Sequence, residues 1–277
     1  MHPYLGTIPT PWGGIPVYTY GVLVAAGVLL GLWYARHYAV AHAGIDPERV
    51  WNLGVYMVLG GLVGAKIWFV LSNGSYFWHH ANELFARATL QSGGTFYGGF
   101  VGALAVILVY ARLQRISLLK LVDCYSAGLP LGHAIGRLGC FAAGCCYGKP
   151  TYLPWAVTFT DPRAAQLVGT PLNIPLHPTQ LYEAGAEFVN FLILIVLARK
   201  QRFEGEIFAT FILLYGIERG LIEFVRWDPG RTLLVHGRFS LMQIVSLALI
   251  FTGAWMWRRG SKKSRAVHRT AVVPARQ

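Results

Sequence analysis

Residues 51–71 read WNLGVYMVLGGLVGAKIWFVL, an apolar run interrupted by one charge, Lys66. A helix needs about 20 such residues to cross the hydrocarbon core of a bilayer. Six further stretches read the same way: Val17–Tyr34, Thr95–Ala111, Leu118–Gly136, Gln180–Ala198, Ile207–Ile222 and Phe239–Trp257. The expected fold is an all-α integral membrane protein with seven transmembrane helices. Val17–Tyr34 does not read as a cleaved signal, because no basic segment precedes it and six more spans follow. Residues 1–257 are expected to form a single polytopic membrane domain, and 258–277 a basic tail.

Composition supports the same class. Charged residues make up 13% of the 277, about half the ~25% of an ordinary soluble domain. Hydrophobic residues make up 55%, and mean hydropathy is +0.45. These values exclude disorder and argue against an ordinary cytosolic enzyme. The 32 glycines and 14% aromatics suit helices that pack closely in lipid and are anchored at its surfaces. Four cysteines are too few for a disulfide scaffold. The net charge of +12 could point to nucleic acid, but its location argues otherwise. Arg258, Arg259, Lys262, Lys263, Arg265 and Arg269 follow directly on the last apolar stretch, as in a cytoplasmic juxtamembrane segment. The loops on that side carry 15 Lys and Arg against 7 on the other. The N-terminus is therefore expected outside, the C-terminus in the cytoplasm, and the segment 137–179 on the outer side.

Charges inside spans are costly and mark function by default. Here they gather toward the outer side. His133 and Arg137 are four residues apart, as are Arg219 and Glu223, with Arg226 close behind. Residues at that spacing share a helix face. Tyr20 and Tyr97 lie near the outer ends of the first and third spans. The expectation is a polar outer-leaflet pocket with several cations and few anions. Guanidinium groups bind phosphate oxygens with paired hydrogen bonds, so such a pocket suits a phosphate headgroup. Glu223 with Arg219 or Arg226 reads equally as a structural ion pair, and His133 equally as a core hydrogen-bonder. No acid lies within one turn of Arg137, which weakens a structural reading there.

Two glycine clusters stand out. Gly60, Gly61 and Gly64 are explained by helix packing. Gly93, Gly94, Gly98 and Gly99 flank Phe96 and Tyr97 at the water interface, which suggests backbone brought close to a ligand. Cys140, Cys145 and Cys146 lie just beyond the fourth span. They read first as packing or a short-loop disulfide, next as a catalytic thiol, and last as metal ligands, because C-x4-C-C is not a usual zinc pattern.

The segment Gly136–Gly148, GRLGCFAAGCCYG, resembles the signature of bacterial prolipoprotein diacylglyceryl transferases, G-R-x-G-N-F-x-N-x-E-x-aromatic-G. His177–Glu183, HPTQLYE, is similar to that family's H-P-[ST]-Q-L-Y-E. Tyr215, Gly216, Arg219, Glu223 and Arg226 resemble its Y-G-x-x-R-x-x-x-E-x-x-R block, and Tyr18–Gly21 its opening W-Y-G segment. The resemblance runs from about Val17 to Trp257. Cys140 and Ala143 stand where the family usually has Asn, Cys145 where it has Glu, and Tyr97 where it has a His proposed as its base.

The resemblance implies transfer of the diacylglyceryl group of phosphatidylglycerol to the lipobox cysteine of a prolipoprotein. A thioether forms and glycerol 1-phosphate leaves. It also implies a multi-pass protein of the bacterial cytoplasmic membrane. Its partners would be phosphatidylglycerol, prolipoprotein signal peptides and membrane lipid, without nucleic acid, cofactor or metal. Catalytic roles fall to His133, Tyr97 and Arg219. Substrate binding falls to Arg137, Tyr20, Gly98, Gly99, Glu223, Arg226 and Gly148. Tyrosine, with a pKa of about 10, is a poor base at neutral pH, whereas histidine at about 6.5 is suited to the task. Two other readings are an anionic-solute transporter, which would show an inverted repeat that the sequence lacks, and a related lipid-binding or thiol-redox protein without transferase activity.

Overall fold

The computed structural model describes residues 2–9, 13–85, 95–227, 233–234 and 239–271. The apolar stretches fold as helices: α1 (Thr19–Tyr38), α2 (Pro47–Ser72), the short α3 (Gly74–His79), α4 (Phe96–Gln114), α5 (Leu118–Ala143), the short α6 (Pro162–Val168), α7 (Thr179–Ala198), α8 (Glu206–Val225) and α9 (Leu241–Ala271). Among the described residues, three two-stranded antiparallel ribbons accompany them: β1 (Tyr4–Ile8) with β2 (Ile15–Tyr18), β3 (Val157–Thr158) with β4 (Pro175–Leu176), and β5 (Leu233–Leu234) with β6 (Phe239–Ser240). Gly93 and Gly94, singled out in the sequence, lie outside the described residues.

The chain falls into two compact units, one of residues 36–124 and one of residues 1–35 with 125–277. In the smaller unit α2 lies against α4 through glycines. A β-carbon on Gly98 would collide with the Gly64 carbonyl oxygen, and one on Gly102 with that of Gly60. Small residues four apart on both helices let the backbones touch, which is how apolar helices associate where lipid offers no hydrophobic drive. Gly99 likewise faces α2, where an added β-carbon would lie 3.4 Å from the Gly61 carbonyl oxygen. An added β-carbon on Gly98 would also meet Trp68 Cβ and crowd Thr95 Oγ1.

In the larger unit α1 meets α5 by the same device: a β-carbon on Gly27 would lie 2.6 Å from the Gly132 carbonyl oxygen. The polar and apolar faces here are reversed relative to a soluble protein. Helix α7 buries Gln180, Glu183, Glu187 and Asn190 and exposes Phe188, Val189, Leu192, Ile193 and Val196. Helix α8 buries Glu206, Glu218 and Glu223 and exposes Ile217, Leu221 and Phe224. Apolar rims around a polar centre are stable only when the surrounding medium is itself apolar.

Among the described residues, five helices are long and apolar enough to cross a membrane: Thr19–Ala43, Pro47–Ser72, Tyr97–Gln114, Thr179–Ala198 and Leu241–Ser264. Seven were expected. The remaining two stretches are helical and long enough, at 26 and 20 residues, but α5 carries Lys120, Asp123 and Arg137, and α8 carries Glu206, Glu218, Arg219 and Glu223. Those charges lower their apolarity.

Candidate active site

Within the larger unit, α5, α7 and α8 bring their charged residues together. His133 and Arg137 sit on one face of α5, as their spacing requires, and Arg137 Nε donates to His133 Nε2 at 3.2 Å. The other imidazole nitrogen, Nδ1, lies 2.6 Å from Glu187 Oε1 on α7. Since a carboxylate only accepts and Nε2 is already accepting, the proton is on Nδ1. Glu187 is fully buried, and its second oxygen, Oε2, has no hydrogen-bond partner among the described residues.

Arg137 continues the chain of contacts: its Nη2 lies 2.5 Å from Glu183 Oε2, one turn before Glu187 on α7. The same carboxylate meets Arg226 Nη1 at 3.5 Å through Oε1. On α8, Arg219 Nη1 donates to Glu223 Oε2 at 2.7 Å. Asn190 Nδ2 donates to Glu218 Oε2 at 2.9 Å. The Tyr215 ring lies 6.0 Å from that of His133. The expected site had several cations and few anions. Instead, four buried carboxylates, on Glu183, Glu187, Glu218 and Glu223, accompany the three arginines. A guanidinium taken out of water needs a partner of opposite charge, so cations in a buried site bring acids with them.

Arg226 was read with Glu223 along one helix. Helix α8 ends at Val225, Arg226 is extended, and its side chain reaches Glu183 on α7. The segment between α5 and α7 holds it there. Gly148 N donates to His177 O at 2.9 Å, His177 N to Lys149 O at 3.0 Å, and Lys149 N to Val225 O at 2.8 Å. A β-carbon on Gly148 would lie 2.6 Å from the Val225 carbonyl oxygen and 2.7 Å from His177 Cβ. Only glycine fits that junction. The imidazole of His177 is fixed in turn by the Tyr182 hydroxyl at 3.2 Å, which accepts from Trp155 Nε1 at 2.7 Å.

Tyr20 lies beside the last turn of α5, where a β-carbon on Gly139 would be 3.3 Å from the Tyr20 carbonyl oxygen. Tyr97 belongs to the smaller unit and opens α4 with its ring half-exposed. Beyond α5, hydrogen bonds from the Cys140 and Cys145 thiols hold the Cys146 thiol well below its ordinary value of 9.0, and Arg137 and Arg226 act in the same direction.

The sequence model of the family described as prolipoprotein diacylglyceryl transferase matches residues 8–259. The chain belongs to the prolipoprotein diacylglyceryl transferase family. It is similar to the phosphatidylglycerol–prolipoprotein diacylglyceryl transferase of Solidesulfovibrio magneticus, 33% identical over 96% of this chain and 98% of that protein. The corresponding protein of Cupriavidus metallidurans is 32% identical over 96% and 98%. That of Clostridium tetani is 30% identical over 88% and 93%. As a member of this transferase family the chain is a multi-pass membrane protein, and the acid-lined arginine cluster occupies the segments that resemble the family's motifs. Reading the sequence missed Glu183, Glu187 and Glu218 as site residues. The signal for the first two was present: two acids four apart inside one apolar span share a face and require partners.

Proposed function

We propose that this chain transfers the diacylglyceryl group of phosphatidylglycerol to the lipobox cysteine of prolipoproteins, in the bacterial cytoplasmic membrane. One observation carries the assignment of roles: Arg137 is held between His133 and Glu183, so a single guanidinium links a candidate base to an ion-pair network. The phosphate of phosphatidylglycerol competes with Glu183 for Arg137 and is received by its planar pair of donors. Arg226 shares Glu183, and so keeps that buried carboxylate paired when Arg137 shifts.

As Arg137 turns to the phosphate, His133 Nε2 regains its lone pair. It takes the proton of the lipobox thiol, while Glu187 stabilises the imidazolium through Nδ1–H. A carboxylate serves a catalytic histidine in this way elsewhere. The thiolate is the nucleophile. Its sulfur bonds to the glyceryl carbon, the carbon–oxygen bond to phosphate breaks, and glycerol 1-phosphate departs with the bonding pair. Arg137 and Arg219 offset the charge that develops on the leaving phosphate. Glu223 positions Arg219, and Tyr20, Gly148 and the segment they border line the approach of the headgroup.

Complementation tests the reading. In a bacterial strain depleted of its own diacylglyceryl transferase, expression of this chain should restore growth. A reporter lipoprotein should then gain the mass of one diacylglyceryl group on its lipobox cysteine. An unmodified reporter with the protein present in the membrane would favour a lipid-binding or transport role.

The finer topology is seven spans with the N-terminus outside, supported by the Lys and Arg asymmetry and by the lipid-compatible rims of α7 and α8. On a cysteine-free background, a cysteine at position 87 should react with an impermeant maleimide from outside. One at position 262 should react only after permeabilisation. The reverse pattern would sink the orientation.

A further inference from the structure

The proposed transfer uses no thiol of this chain, yet three of its four cysteines converge. Cys140, on the last turn of α5, and Cys145 and Cys146, just beyond it, bring their sulfurs within 4.8 Å of one another. Their spacing along the chain does not announce this; the turn does. Helix α5 stops at Gly144, whose φ of +82° folds the chain back so that Cys145 N donates to Cys140 O at 3.2 Å. From α7, Gln180 Nε2 and Thr179 Oγ1 each donate at 2.7 Å, to the carbonyls of Cys145 and Cys146. Thr170 Oγ1 donates to Gly144 O at 2.9 Å. The loop that carries the sulfurs is thus fixed by side chains from outside it.

We propose that Cys140, Cys145 and Cys146 form a site for one soft, thiophilic metal ion of the Zn2+ or Cu+ class, bound by three thiolates. Thiolate sulfur lies about 2.3 Å from such an ion, which sets three sulfurs about 4 Å apart. They need close in by no more than about 1 Å. Each thiol gives up its proton to solvent as the ion enters. A disulfide explains the cluster less well. It would use two sulfurs and leave the third without a role, and the adjacent pair Cys145–Cys146 is poorly placed to bridge itself.

The full-length protein, reduced and then freed of metal and reductant in detergent micelles, is titrated with Zn2+ alone and, without oxygen, with Cu+ alone. One equivalent of at least one ion should be retained against a chromogenic chelator. Cys146→Ser should weaken retention by more than about 100-fold, while Cys124→Ser, in the smaller unit, should leave it unchanged. Equal retention by the wild type and a Cys140→Ser/Cys145→Ser/Cys146→Ser variant would overturn the site. Alkylation of the wild type answers without any variant: the bound ion should slow modification of Cys145 and Cys146, and unchanged rates with both ions would refute the proposal. So would a disulfide joining Cys140 to either neighbour in protein isolated without reductant. Because the readout is metal retention, its failure and failure of the transferase reading are separable.

Discussion

Arg137→Lys should cut diacylglyceryl transfer by about 10²–10³-fold, the usual cost of losing one well-placed donor to a developing anion, while the protein folds and inserts normally. Lys is the informative replacement. Glu183 is buried, with Arg137 as its close partner at 2.5 Å and Arg226 farther away at 3.5 Å. Deleting the charge, as in Arg137→Ala, leaves that carboxylate poorly compensated and costs about 3–5 kcal/mol of stability, so lost activity would not be separable from lost structure. Lysine retains the charge that Glu183 needs. It loses the planar fork that receives two phosphate oxygens and the Nε–H that meets His133. Transfer from phosphatidylglycerol to a lipobox peptide, measured beside the thermal stability of the same preparation, checks the point. Near-normal transfer would mean that Arg137 is only a point charge, and the headgroup assignment would fall.

The local half of this network was legible in the sequence. His133 with Arg137 and Arg219 with Glu223 follow from i, i+4 spacing, and both pairs are hydrogen-bonded. The helices were legible too, because apolar runs of membrane length have few other folds. Leu118–Gly136 was read too short: the apolar run ends near Gly136, yet α5 continues through Cys140 to Ala143, since helix formation needs no unbroken apolarity. Contacts that join distant segments were not legible. Glu183 lies 46 positions beyond Arg137, and only the packing of α7 on α5 makes it the partner of that arginine. The contact of Arg226 with Glu183 was not legible either, because it joins the end of α8 to α7. The three sulfurs met through a left-handed turn at Gly144 that no spacing rule encodes.

His133→Ala should reduce transfer by about 10²–10⁴-fold, the range for loss of a general base, whereas Tyr97→Phe should stay near wild type and Tyr97→His should be tolerated. The loss alone does not say what His133 does, because the ring both accepts from Arg137 and faces the expected thiol. His133→Gln separates the two roles. A glutamine amide oxygen can occupy the place of Nε2 and accept the Arg137 Nε–H, so it keeps the arginine oriented. It cannot take a proton at neutral pH. If His133 is the base, Gln should be as inactive as Ala, and added imidazole should partly restore the Ala variant. If His133 only positions Arg137, Gln should recover most of the activity and imidazole should do nothing. Glu187→Gln supplies the third arm. It keeps an oxygen for Nδ1–H but removes the negative charge that steadies the imidazolium, so a base role predicts a loss in kcat with little change in KM. Should Tyr97→Phe prove dead while His133→Ala stays active, the phenol is the functional group. The Glu187–His133–Arg137 chain is then the scaffold that keeps a buried guanidinium in place.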